Sequence, residues 1–286
     1  MVKRFVDNTL AVAFLLGCML AAATGRPAAA AASEEDVLRA DHALVQAIGG
    51  ADKKALGGLL DSDFTWTDSA GKTLTKADVL KGLPTPAAGY DAEAKERTYG
   101  QVAIVQANSG KVYVLRLWVK RPAGWRALGY HEVTQLDAPP AGGPGVNDCE
   151  NPCRTVPYKP KNEAEAGIFK SWQELETNVT AHNAAGWAPH AADEFVQVSS
   201  NNDHPLDKAA RMAVLDKQKQ SGAGAAPAPL VSAEMFDFGD SVVMKALHQP
   251  YHGKPIRVSR LWVKRDGLWV MAISYQTTIQ AAPAKE

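Results

Sequence analysis

Near the end of each half of this chain, His131 and Tyr275 stand at matching places in strand-like segments. Each has acidic residues earlier in its own half: Asp61 and Asp63 in the first, Asp193 and Glu194 in the second. An imidazole or a phenol within reach of a carboxylate is the minimum equipment for general acid–base transfer of a proton. His131, Asp63, Tyr275 and Asp193 are therefore the catalytic candidates. A required catalytic side chain would be kept in both halves or lost from one, so the exchange of histidine for tyrosine speaks against that chemistry. A second set of residues suits binding. Arg116 and Trp118 recur as Arg260 and Trp262, and strand alternation puts each arginine on the same face as its tryptophan. With Trp66, Trp187, His131 and Tyr275 they make a candidate pocket of aromatic walls and few polar groups, as small-molecule sites require. The competing reading makes the tryptophans core and pairs the arginines with carboxylates on helices.

The remaining chemistry-bearing residues offer less. Cys149 and Cys153 are an isolated close pair, most simply a disulfide in an oxidising compartment. A structural zinc site would need more ligands than lie nearby, and a redox motif has two residues between its cysteines rather than three. His248 and His252 flank Pro250 and precede Gly253, which reads as a hairpin loop rather than a metal-binding helix face. His182 and His190 read as ordinary histidines beside Trp187, and Asn201–Pro205 as a polar loop. Gly71-Lys72-Thr73 lacks the upstream glycine of a phosphate loop, because Trp66 stands there. The sequence has no Gly-x-Ser-x-Gly elbow and calls for no metal and no cofactor.

The elements that must position these residues come in two sets. Arg116-Leu117-Trp118-Val119-Lys120-Arg121 recurs 144 residues later as Arg260-Leu261-Trp262-Val263-Lys264-Arg265, and Trp125/Trp269 and Thr134/Thr278 keep the same offset. Upstream, Asp63-Phe64 matches Glu194-Phe195 at an offset of 131, and Leu74-x-Lys76-Ala77 matches Leu206-x-Lys208-Ala209 at 132. A period this long is a duplicated domain, not a solenoid. Apolar spacing predicts a helix over 34–48 capped by Ser33, and its counterpart over 163–184 with Ile168, Trp172, Leu175 and Val179 on one stripe. A short second helix follows in each half, then a short strand (64–67; 195–199) and a helix capped by Thr75 or Asp207. The first half continues with strands at 101–106, 112–121 and 125–136, the second with strands at 231–238, 241–248, 256–265 and 269–279. Helices followed by an antiparallel meander make an α+β pattern. In the final strands, alternation places Trp125, Ala127, Gly129 and His131 on one face, and Trp269, Met271, Ile273 and Tyr275 on the matching one.

Two N-terminal helices, an Asp-Asp/Glu-Phe strand start, a third helix and closing strands of the form Arg-x-Trp-Val-Lys-Arg-x-x-x-Trp resemble the nuclear transport factor 2-like superfamily, and within it the SnoaL-like bacterial group. The resemblance implies two tandem cone-shaped α+β-barrel domains, each a curved antiparallel sheet wrapped on its N-terminal helices with a pocket between them. It does not name an activity, since the superfamily includes isomerases, dehydratases, cyclases, binding domains and association domains. Neither half carries the spaced Asp-and-His combination of the catalytic members. Single-domain relatives pack sheet faces as homodimers, so the duplication implies an intramolecular pseudo-dimer. Large groups on both sides of the 116–119 segment suit a sheet covered on both faces.

The ends and the join complete the plan. Lys3 and Arg4, an apolar run over 10–23 and alanines at 28–32 read as a signal peptide over 1–32, with export to the periplasm or beyond. Leu15-Leu16-Gly17-Cys18 offers a lipid anchor at Cys18 as the alternative, and no other segment is apolar and long enough to span a bilayer. The first domain is expected over 33–136 and the second over 163–280, with a tail at 281–286. Between the domains, six prolines and three glycines over 137–162 form a linker that the cysteine pair would stiffen. With 31 basic against 31 acidic residues, the chain has no electrostatic footprint for nucleic acid. Three function classes stand. The first is an exported module binding a small apolar or amphipathic ligand or a protein partner. The second is an acid–base enzyme of isomerase, dehydratase or cyclase type using His131 and a carboxylate. The third is a structural pseudo-dimer.

Overall fold

The computed structural model describes residues 28–87, 94–137, 148–223 and 227–280. The expected leader up to residue 27, with Cys18, and the tail at 281–286 lie outside them. Each half begins with helices. In the first, α1 (Ala28–Gly49) presents Val37, Leu44 and Ile48 to the core, and α2 (Lys53–Leu59) starts at Asp52, whose carboxylate accepts from the Lys54 and Ala55 amides. Because α1 starts at Ala28, Ser33 is not its cap. The strands are β1 (Leu60–Thr67), β2 (Thr73–Thr75), β3 (Lys95–Tyr99), β4 (Val102–Ser109), β5 (Val112–Arg121) and β6 (Gly124–Thr134), with α3 (Lys76–Lys81) set off by a reciprocal Thr75–Asp78 capping box. Sequence reading missed β3, whose residues KERTY are mostly polar.

The second half repeats the order. α4 (Glu163–Thr180) is capped by Asn162 and buries Ile168, Trp172, Leu175 and Val179. It stops before the expected 184 because His182 takes a left-handed backbone (φ 49°), after which Asn183 caps α5 (Ala184–Trp187). Then come β7 (Ala191–Ser199), β8 (Leu206–Asp207), α6 (Lys208–Ser221) capped by Asp207, β9 (Leu230–Asp237), β10 (Ser241–His248), β11 (Ile256–Arg265) and β12 (Leu268–Thr278). Asp266-Gly267, both at positive φ, close the last hairpin in the geometry that Asp-Gly favours. Gly167 brings α4 close to β12: a Cβ there would lie 2.7 Å from Trp269 Cδ1.

The two sheets have the same topology, β2-β1-β6-β5-β4-β3 and β8-β7-β12-β11-β10-β9. Two features depart from the expected antiparallel barrels. Each sheet is mixed, because the first strand returns after a long excursion to pair in parallel with the last, β1 with β6 and β7 with β12. Neither sheet closes, and the edges β2 and β8 are only three and two residues long, which limits edge-to-edge pairing.

Each sheet has helices on one face and the other sheet on its second face. Leu115, Leu117, Val119 and Leu128 from the first half and Val243, Leu261, Val263 and Ile273 from the second form one shared apolar cluster. The contacts are reciprocal. Arg121 lies over the Phe238 ring at 5.3 Å, and its repeat equivalent Arg265 lies over Tyr99 at 5.9 Å. That is the signature of an isologous interface, here within one chain. Lys245 Nζ, on β10, donates to the carbonyls of Asp63 and Leu128 across it, each at 2.9 Å.

The proline-rich join is docked rather than free where it is described. Tyr158 packs on Phe169 and donates to Glu165, and the Asn151 side chain pairs with both backbone groups of Leu230. Cys149 and Cys153 are disulfide-bonded. The bridge closes a very short loop, so its loss costs little chain entropy. In a Cys149→Ser, Cys153→Ser double variant, urea unfolding is expected to show less than about 3 kcal/mol of destabilisation. A larger loss would make this loop part of the second core.

Candidate functional site

In the first half the described side chains pack the space between helices and sheet. Asp41, on the buried stripe of α1, accepts from Arg116 Nε at 2.7 Å and from Trp118 Nε1 at 3.0 Å, and both partners of the ion pair are nearly inaccessible. Trp66 on β1 and Tyr130 on β6, directly paired in register, stack with ring centroids 3.7 Å apart. Arg116, Trp118 and Trp66 are thus core.

The second half keeps the frame and changes the filling. At the repeat offset of 131, Asp41 becomes Trp172 and Trp66 becomes Gln197; at 144, Tyr130 becomes Ser274. Gln197 and Ser274 are themselves register partners, so two stacked rings are replaced by two small polar groups at one cross-strand pair. A cavity of about 400 Å³ lies there. Its apolar wall is built from Leu175, Val179, Trp187, Phe195, Val258 and Met271, and its polar wall from Glu176, Gln197, Arg211, His248, Arg260 and Ser274.

Arg260 is buried and forms no ion pair with a carboxylate among the described residues. Its guanidinium sits 5.0 Å from the centroid of the Trp172 ring, and Nη1 lies 3.0 Å from His248 Nε2. His248 Nδ1 faces the Ala228 carbonyl at 2.9 Å, so Nδ1 carries the proton and Nε2 accepts from the arginine. Both ring nitrogens are thereby occupied, which leaves none for a metal. Burial, and then the arginine charge, push the His248 pKa down to about 3. Arg260 itself is brought down to about 10 by burial and stays charged at neutral pH. Arg260 Nε and Trp262 Nε1, the equivalents of the two donors that Asp41 satisfies, are buried without an acceptor.

His131 and Tyr275 are not in either cone. Each final strand carries a one-residue bulge, at Leu128 and at Ala272, where the pairing steps from Leu117↔Gly129 to Trp118↔Ala127 and from Leu261↔Ile273 to Trp262↔Met271. A slip of one residue turns every later side chain to the opposite face. Trp125 and Ala127, like Trp269 and Met271, therefore face the helices, while His131, Ile273 and Tyr275 face the other half. Tyr275 OH accepts from Gln106 Nε2 at 3.1 Å. His131 Nδ1 is 2.8 Å from Ser259 Oγ and Nε2 is 3.1 Å from Thr277 Oγ1. Thr277 spends its only proton on the Glu132 carbonyl, so His131 donates from Nε2 and accepts at Nδ1. Burial brings the His131 pKa to about 3, and the imidazole is neutral. It borders a second cleft of about 210 Å³ between the halves, with Lys245 and Arg257.

The acidic candidates lie apart from both. Asp63 is exposed on the first half, and Asp193 is an exposed ion-pair partner of Lys208 at 2.9 Å. Asp61 is buried and held by both arms of Arg121, at 2.8 and 3.1 Å, while Glu194 reaches Arg265. No carboxylate of the described residues forms an ion pair with His131. Of the binding candidates read from the sequence, Trp187 and Arg260 line the large cavity and Trp262 lies buried beside Arg260 on β11. Gln197, Ser274, Glu176 and Arg211 were missed, and His248, expected in a hairpin loop, instead ends β10 beside Arg260. The signal for Gln197 and Ser274 was in the repeat, at the positions where the copies differ rather than where they agree.

Each half is thus an open mixed sheet closed on one face by helices, and the chain repeats this α+β unit in tandem, the arrangement that the nuclear transport factor 2-like resemblance implies. No protein-family model matches the sequence, and no curated protein matches it. Among solved structures, it is similar to a nuclear transport factor 2-like protein from Cytophaga hutchinsonii, with 18% identity over 41% of this chain and 99% of that one and a TM-score of 0.35. Another, of unknown function, from Pseudomonas putida, is 16% identical over 40% and 85%, with a TM-score of 0.35. A protein of unknown function of the DUF3225 family from Pectobacterium atrosepticum is 27% identical over 37% and 93%, with a TM-score of 0.31.

Proposed function

We propose that this protein is an exported binding module whose second half takes a small amphipathic molecule, while the first half, filled by its own side chains, serves as the partner that covers the sheet. The observation that carries this reading is the exchange of the stacked Trp66–Tyr130 pair for Gln197–Ser274, which leaves a cavity of about 400 Å³ in one half of a duplicated fold. That volume falls in the range of small-ligand sites, and its apolar wall with a few converging polar groups has their composition. In this reading residues 1–32 are a leader, 33–136 and 163–280 the two units, 137–162 their join and 281–286 a tail. The disulfide is compatible with export, and no helix among the described residues is long and apolar enough to cross a membrane.

The test is to plug the cavity with the first half's own solution. A Gln197→Trp, Ser274→Tyr variant places at the second site a pair that this fold already packs at the first. The neutral fluorescent probe N-phenyl-1-naphthylamine is expected to bind the unaltered protein once per chain. The plugged variant should bind it at least about tenfold more weakly, a loss of roughly 1.4 kcal/mol or more, with an unchanged or higher Tm. Two probe molecules per chain, or binding that survives the plug, would defeat the assignment.

A further inference from the structure

We infer that the ligand of the second half carries a carboxylate, and that Arg260 is its anchor; this rests on the reading of the cavity as a binding site. The first half supplies the template. There Arg116 Nε and Trp118 Nε1 converge on one carboxylate oxygen of Asp41, at 2.7 and 3.0 Å. The second half keeps both donors as Arg260 and Trp262 but has Trp172 at the place of Asp41, so the fold retains a carboxylate's donors and lacks the carboxylate.

Arg260 is the donor that a ligand reaches, since it lines the cavity. The Nε and Nη2 side of a guanidinium is the fork that a carboxylate fills with two parallel bonds. Nε is buried without a partner, and Nη2 makes no hydrogen bond among the described residues. The other side is taken by His248, a neutral acceptor whose orientation the Ala228 carbonyl locks. A buried cation in direct contact with a neutral imidazole and an aromatic face, with the Glu176 carboxylate acting on it without an ion-pair contact, is under-compensated, which an incoming anion corrects.

The charges around the cavity point the same way. Arg211 and Lys254 also line it, and neither forms an ion pair among the described residues. Against these three cations stands one carboxylate, Glu176, which accepts from Trp172 Nε1 at 2.9 Å. Met271, Phe195 and Trp187 supply an apolar wall for the rest of the ligand. The class is therefore a monocarboxylate with an apolar or aromatic body.

A matched series tests it by calorimetry on the full chain: 4-phenylbutanoate, 4-phenylbutanamide and 4-phenylbutylamine. The acid is expected to bind at least about tenfold more tightly than the amide, and the amine more weakly than either. Arg260→Met should erase the preference for acid over amide. A measurement on the unaltered protein is independent of that variant's folding: the Arg260 Nε–H resonance is expected to shift on titration with the acid and not with the amide. Equal binding of acid and amide would overturn the carboxylate inference and leave the cavity reading standing. A preference that survives Arg260→Met, or an Nε–H resonance unmoved by the acid, would overturn the role of Arg260. Failure of all three compounds to bind, with the plugged variant indistinguishable from the unaltered protein, would overturn both readings.

Discussion

Replacing Asp41 with alanine is expected to lower the unfolding free energy by about 3–5 kcal/mol, the cost of stranding a buried charge when its partner is removed. Both side chains of the Arg116–Asp41 pair are nearly inaccessible, and Asp41 also takes the Trp118 indole N–H, so one substitution orphans a cation and a neutral donor. For a chain of this size, at roughly 2–4 °C per kcal/mol, Tm should fall by about 10 °C. An Asp41→Leu, Arg116→Met double variant should recover much of the loss, because it removes the charge along with its acceptor. Chemical denaturation of the two single variants and the double completes the cycle. A cost below about 1 kcal/mol for Asp41→Ala would mean that water or another group reaches Arg116, and that the first half is not the filled unit described above. The same variant bears on the carboxylate ligand of the second half, since it puts the first half into the condition that the second half already has.

Acidification is expected to destabilise the protein well before its carboxylates protonate. His131 and His248 are neutral in the folded state, with pKa values brought down to about 3 by burial, and in the unfolded chain each returns to about 6.5. Between those values the unfolded chain binds more protons, so stability is fully present above pH 6.5 and is lost as the pH falls. Each histidine contributes a slope of about 1.4 kcal/mol per pH unit, and together they remove about 4 kcal/mol between pH 7 and pH 5. Glu132 works against them. Its carboxyl is raised by burial despite accepting from the Ser69 and Ala87 amides, so its protonation favours the folded chain and trims the slope. Urea midpoints at half-unit steps from pH 7.5 to 4.5 measure the sum. His131→Gln, which keeps an acceptor for Ser259 and a donor for Thr277, should remove about half of the slope. A flat profile from pH 6.5 to 5 would show that water reaches both imidazoles, His131 between the halves and His248 in the second half.

Much of the architecture was legible without coordinates, because it rests on local and periodic signals. The offsets of 131 and 144 announced two copies. Apolar spacing placed α1 and α4, Thr75 and Asp207 marked the starts of α3 and α6, and the isolated cysteine pair is the disulfide. Large groups on both faces of β5 foretold the covered sheet, since a strand alternates with period two wherever it runs regularly.

The site was decided by contacts that no local signal carries. One unpaired residue in β6 and one in β12 turn His131 and Tyr275 from the cones to the interface, and a bulge leaves no mark in hydrophobic alternation. Whether a cone is full or open depends on pairs that meet only through register and helix docking: Trp66 with Tyr130, Gln197 with Ser274, Asp41 with Arg116. The duplication, the element order and the paired arginine–tryptophan strands follow from the order of residues alone. Which of the two arginines has a carboxylate follows only from the packed chain, because an ion pair between residues 75 positions apart exists only once the helix is laid across the sheet.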